Sequence, residues 1–256
     1  MSAQPNLLPS EVREHVLSMP LEDIDVSDPT LFHNDTIGAY FERLRDENPV
    51  HKGSTERFGE FWSVTRHADI MAVDVNHQVF SSEPVISIRD VPEAFRRPMF
   101  IAMDQPKHDD QRRTVSPIVA PANLARMEST IRERTCRVLD SLPVGEDFDW
   151  VSEVSIELTT LMLATLFDFP TEDRKLLTWW SDVATVDLTS GSAIDTDEKR
   201  MAELGKCLEY FTRLWNERVN AEPRPDLLSM LAHSPATRNM SPHEFLGNLI
   251  LLIVGG

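Results

Sequence analysis

Residues 100–117 read FIAMDQPKHDDQRRTVSP. Asp104 can cap a helix there, and Pro106 can occupy its first turn. His108 and Arg112 are then one turn apart on one face, because residues four apart are neighbours on a helix surface. An imidazole and a guanidinium so placed can reach two anionic oxygens that do not move, as in a phosphate or a propionate. Charge-assisted hydrogen bonds of this kind contribute about 1.5–3 kcal/mol each. The spacing alone leaves two readings open: a ligand grip, or the solvated face of a helix.

Downstream of this run nearly every segment reads as helix. ANLARMESTIRERTCRVLDSL is amphipathic, and WVSEVSIELTTLMLATLF is apolar on most sides and reads as a buried helix. Thr171 with Glu172 and Asp173 opens a helix carrying Trp179 and Trp180, whose rings read as packing rather than a cofactor box. A polar gap near Thr185–Thr196 precedes a long helix through Trp215, then the short DLLSMLAH. Ser241-Pro242-His243-Glu244 is a capping box with proline at the first helical position. It opens FLGNLILLIVGG, the most apolar segment of the chain. Two glycines in a row, Gly255 and Gly256, suggest a kink or the close approach of something flat, or else a plain helix end.

Upstream the pattern changes. A short helix is expected near Glu11–Met19 and another through AYFERLRDE, stopped by Pro49. Phe58-Gly59 sits between two short runs and reads as a β-hairpin over Val50–Thr65. HADIMAVDVN is again helical. Residues 80–103 carry Pro84, Pro92 and Pro98 and read as a long connecting loop. A helix as apolar as LILLIVGG needs other elements to cover it, so the chain reads as the N-terminal part of a larger fold, the alternative being a short C-terminal helix docked into a complete core.

Composition narrows the function classes. Twenty-five Lys and Arg against 42 Asp and Glu give a net charge of −17, which argues against a general nucleic-acid binder or a polybasic membrane-surface protein. Against that background, Lys107 to Arg137 holds seven basic and four acidic residues, a surface suited to an acidic partner or simply the polar side of a helix. Two distant cysteines, Cys136 and Cys207, exclude a disulfide framework and a zinc-finger scaffold and fit a reducing compartment. No basic region followed by an apolar run opens the chain, and no stretch reaches the roughly 18–20 apolar residues of a membrane span. The expectation is a cytoplasmic protein. No dinucleotide, phosphate-loop, nucleophile-elbow or zinc-protease motif occurs. His108-Asp109 could be half of a metal-dependent phosphohydrolase site, and the apolar final helix could serve a non-catalytic helical interaction module; these are the two alternatives.

FIAMDQPKHDDQRRTVSP resembles the segment leading into helix C of bacterial cytochrome P-450 monooxygenases, where Asp-x-Pro-x-His-x-x-x-Arg is typical. LGNLILLIVGG is similar to the first half of their central helix I. The order of elements also agrees from about residue 30. GEDFDWVSEVSIELTTLMLATLFDFP and SDVATVDL look most like the terminal alkane and fatty-acid hydroxylases of that family.

The resemblance implies a mainly α fold with a small β-hairpin region. Residues 1–256 would form the N-terminal portion of a single haem-binding domain. It implies haem as cofactor, bound through its propionates by His108 and Arg112, with dioxygen as co-substrate. Leu251 and Val254 would face the substrate, and Gly255 and Gly256 would let the central helix bend where dioxygen binds. The proline-rich loop before Met103 would wall the pocket, and the region around Thr185–Thr196 would form a lid. Two electrons would arrive through a ferredoxin and its reductase, docking near Arg112 and Arg113, and the terminal carbon of a medium-chain alkane or fatty acid would be hydroxylated. In this family iron is ligated by a cysteine in a late Phe-x-x-Gly motif followed by Cys-x-Gly. Neither Cys136 nor Cys207 has that context, so the thiolate ligand is expected in a portion absent from the given chain, and the 256 residues alone are expected to be inactive.

Overall fold

The computed structural model describes residues 9–188 and 190–255. The chain divides into two compact units, one ending at Val91 and one beginning at Pro92.

In the first unit, helices α1 (Pro9–Ser18), α2 (Pro29–His33) and α3 (Ile37–Glu47) surround a small core. Val12, Val16, Ile24, Leu31, Tyr40 and Leu44 fill it. Asp28 caps α2, its Oδ1 accepting from the Thr30 amide at 2.8 Å, with Pro29 at the first helical position. Strands β1 (Val50–Thr55) and β2 (Gly59–Val64) pair antiparallel, from Val50 opposite Val64 to Thr55 opposite Gly59. Gly59 has φ +69°, so the turn needs a residue without a Cβ, and the Phe58-Gly59 signal had this cause. Buried His51 ties β1 to the helices. Its Nε2 donates to the Ile24 carbonyl (3.1 Å) while Nδ1 accepts from Asn48 (3.1 Å). Helix α4 (His67–Asp74) follows the hairpin.

The second unit is helical. Short 3₁₀ turns at Glu93–Phe95 and Phe100–Ala102 lead to α5 (Lys107–Val115), α6 (Pro121–Asp140), α7 (Glu157–Phe167), α8 (Lys175–Thr185), α9 (Asp197–Arg218), α10 (Leu227–His233) and α11 (Pro242–Val254). Phe167, Leu177, Leu204, Phe211, Leu228 and Leu249 are fully buried in one core. Each such side chain removed from water contributes about 1.5–3 kcal/mol. Within it Phe169 stacks on Tyr210 (4.8 Å between centroids) and meets Phe211 and Trp180. Trp180 is therefore a packing residue, as expected. Trp179 is 43% exposed. Helix α11 packs on α8 and α9, and Phe245, Leu246, Leu249, Ile250 and Ile253 are buried. Ser241 caps it, accepting from the Glu244 amide (3.2 Å). Glu244 does not complete the capping box, because its carboxylate is engaged elsewhere.

Three local expectations are corrected. Helix α5 starts at Lys107 with Pro106, not Asp104, at its N-cap. Thr171–Asp173 forms a separate 3₁₀ turn and α8 begins at Lys175. The segment from Trp150 is not one buried α-helix: Val151–Ile156 is a π-helical turn, and Trp150 and Val151 are more than half exposed. Thr189, in the polar gap, lies outside the described residues.

Candidate functional site

Helix α5 carries His108 and Arg112 one turn apart, as their spacing requires. The His108 ring is half-buried. Its Nδ1 lies 2.8 Å from the Phe100 carbonyl oxygen, so Nδ1 is the protonated nitrogen and donates. The Phe100 ring also meets the imidazole edge-on, 6.1 Å between centroids. Neither His108 Nε2 nor the exposed Arg112 guanidinium has a hydrogen-bond or ion-pair partner among the described residues. The neighbouring Arg113, by contrast, is held by Asp110 (3.0 Å). With Nδ1 already donating, His108 donates from Nε2 as well only as the imidazolium, and that N–H beside the Arg112 guanidinium suits a ligand bearing carboxylate oxygens.

Behind this face lies a polar chain that sequence reading missed. The Phe100 amide donates to Asn248 Oδ1 (2.9 Å). Asn248 Nδ2 donates to Gln111 Oε1 (2.8 Å). Gln111 Nε2 donates to the Glu244 carboxylate, which also pairs with Lys107 Nζ (2.9 Å). Asn248 and Gln111 are fully buried. Buried amides need partners, and each of these has them. The signal was present in the sequence: Asn248 is a lone amide inside LGNLILLIVGG, where a polar side chain must be bonded.

Gly247 adds a second tie. A Cβ at 247 would lie 1.9 Å from the Pro98 carbonyl oxygen and 2.7 Å from its carbonyl carbon. The proline-rich segment before Met103 is thus pressed backbone-first onto α11. The predicted residues Leu251 and Val254 lie on the last turn of the same helix, half-buried and 44% exposed respectively. Gly255 ends the helix with φ −86°, its amide still bonded to Leu251 O (2.9 Å). Gly256 lies outside the described residues.

Much of the basic window is committed within the fold. Arg132 and Arg137 pair with Glu128 and Glu133 on their own helix. Arg134 reaches Leu161 O and Thr165 Oγ1 of α7, and desolvation, with Arg137 nearby, lowers its pKa from the ordinary arginine value. The cysteines divide: Cys136 is exposed on α6, while Cys207 is buried in the core, where desolvation pushes its thiol well above the ordinary range. A thiol so held stays protonated and is no ligand. Among the described residues no group of three or more His, Cys, Asp or Glu could hold a metal ion, which a phosphohydrolase built on His108-Asp109 needs. Among them, too, no helix is long and apolar enough to cross a membrane.

Comparison with known proteins shows what this helical architecture and sequence are similar to. No protein-family model matches the chain. Linalool 8-monooxygenase of Pseudomonas putida is 29% identical over 248 residues, covering 92% of this chain and 61% of that protein. Two solved structures are more similar. Cytochrome P450-153 from Novosphingobium aromaticivorans is 46% identical with a TM-score of 0.82, and CYP153D17 from a Sphingomonas species is 47% identical with a TM-score of 0.81. Each match covers 91% of this chain and 59% of the other. Fold and sequence are similar to those of cytochromes P450, and the chain spans about three fifths of the length of the relatives it matches. Its structural neighbours include P450s of the 153 type.

Proposed function

We propose that this chain is the N-terminal portion, residues 1–256, of a single-domain haem monooxygenase that hydroxylates the terminal carbon of medium-chain alkanes or fatty acids. The observation that carries the reading is the pair of uncommitted groups on α5, His108 Nε2, a donor in the imidazolium, and the Arg112 guanidinium. They suit the two carboxylate arms of a haem. A bound haem supplies the activation of dioxygen and the oxidation of the C–H bond.

The residues of this chain hold the cofactor's arms and shape the substrate side. His108 and Arg112 hold the cofactor's carboxylates and neutralise their charge. Leu251 and Val254 offer an apolar surface to the substrate chain, and Gly255, at the end of α11, lets the helix bend where dioxygen binds. The segment before Met103, fixed on α11 at Gly247, walls the pocket and helps exclude water. Arg112 and its basic neighbours form the face for an acidic ferredoxin, which passes on two electrons from its reductase in the cytoplasm. The alkane or fatty-acid class rests on the resemblance of the segments 145–170 and 181–188 to terminal hydroxylases and on the likeness to the 153-type structures.

The test uses the full-length protein. Its ferrous–CO complex is expected to show the red-shifted Soret band of a thiolate-ligated haem. With a ferredoxin, its reductase and a nicotinamide nucleotide, it is expected to convert a medium-chain alkane to the primary alcohol. A colourless folded protein, or a haem protein without that band, overturns the reading. Secondary alcohols alone overturn the assignment to the chain end.

A further inference from the structure

The geometry assigns Asn248 as the positioning residue that sets His108. Resting on the reading above, this names how the carboxylate grip is aimed, by a residue on a different helix that touches neither arm. Asn248 Oδ1 accepts from the Phe100 amide (2.9 Å), and the carbonyl of the same residue accepts from His108 Nδ1 (2.8 Å). One residue therefore takes the orientation of Asn248 at its amide and passes it to the imidazole at its carbonyl. Asn248 is itself held: its Nδ2 donates to Gln111 Oε1 (2.8 Å), and Gln111 Nε2 donates to Glu244.

Three consequences follow. Nδ1 of His108 must carry a proton, because a carbonyl can only accept, so the ring offers a second N–H, at Nε2, to a carboxylate only as the imidazolium. Nε2 is left as the nitrogen free for a ligand, and a second partner that orients a ligating histidine through its other nitrogen strengthens such a grip. Neither leucine nor methionine could replace the amides, since the Phe100 amide and the Gln111 carbonyl would be left without partners. Burial of both amides makes the arrangement rigid: Asn248 and Gln111 have no access to water that could substitute for the missing bonds.

The experiment is a double-mutant cycle on the full-length holoprotein, read as the rate of haem transfer to excess apomyoglobin. The variants are His108→Ala, Asn248→Leu and both together. Asn248→Leu is expected to raise the transfer rate about tenfold in the wild-type background and to change it little when His108 is already alanine. Gln111→Met, which keeps the volume and removes the anchor of Asn248, is run in the same cycle in case Asn248→Leu does not fold, and the same non-additivity is expected. Nitrogen-15 shifts of His108 in the diamagnetic ferrous–CO state, assigned by their loss in His108→Ala, are expected to show a protonated, hydrogen-bonded Nδ1 in the wild type and a shifted Nδ1 signal in the Asn248 variant. Equal factors in both backgrounds, or an unchanged His108 signal, overturn the positioning role. A transfer rate that His108→Ala leaves unchanged overturns instead the carboxylate grip on which the role depends.

Discussion

Gly247 and Pro98 touch backbone to side-chain position: a Cβ at 247 would sit 1.9 Å from the Pro98 carbonyl oxygen. That oxygen belongs to main chain and cannot rotate away as a flexible side chain could. Gly247→Ala therefore forces the segment before Met103 off α11. Overpacking of this kind costs about 1–3 kcal/mol. Thermal unfolding of the full-length protein should show a lowered midpoint, and proteolysis near residue 97 should be faster. An unchanged midpoint would mean that this contact is loose.

Gly205 supplies the opposite case. It lies exposed in the middle of α9, and a Cβ there would meet nothing within 4 Å. Gly205→Ala should raise stability by about 0.5–1 kcal/mol through the lower entropy of the unfolded chain and the better helix propensity of alanine. Chemical denaturation of the two glycine variants side by side should move them in opposite directions.

Asp226 links stability to pH. It is buried, caps α10 by accepting from the Ser229 amide (2.8 Å), and has its pKa raised by desolvation, with the nearby Asp168 adding to the shift. The folded protein thus holds this proton more tightly than the unfolded chain does. The stability from that proton is fully present below the unfolded pKa and is lost as pH rises through the folded one. Asp226→Asn keeps an oxygen for the cap and does not titrate. Between pH ~7 and ~4, the wild type should therefore gain stability relative to Asp226→Asn as pH falls. Asp226→Ala, which removes the cap, should cost about 1 kcal/mol. A wild-type-minus-Asn difference that does not change with pH would contradict the assigned shift.

Much of the frame was legible because its causes are local. Ser241-Pro242 starts α11 by a capping bond within one turn, and the glycine at 59 makes the hairpin turn through its own φ. The 108/112 pairing needs only the helical repeat. What was not legible depends on residues far apart in sequence. Gln111 and Asn248 are 137 positions apart, yet they share a hydrogen bond. Gly247 carries no signal of its own within α11, and its reason is the backbone of residues 97 and 98. The π-helical turn at Val151–Ile156 has no pattern that distinguishes it from an α-helix. Pro106 displaced Asp104 from the cap although both are good helix starters, a choice the sequence grammar does not make.

The grip of α5 on a haem is tested most directly by haem content. Full-length wild type and the His108→Ala/Arg112→Ala double variant would be purified in parallel, with folding checked by circular dichroism and bound haem measured per chain. The double variant should fold normally and lose most of its haem during purification or to apomyoglobin. Retention equal to the wild type in a folded double variant would contradict the roles given to His108 and Arg112.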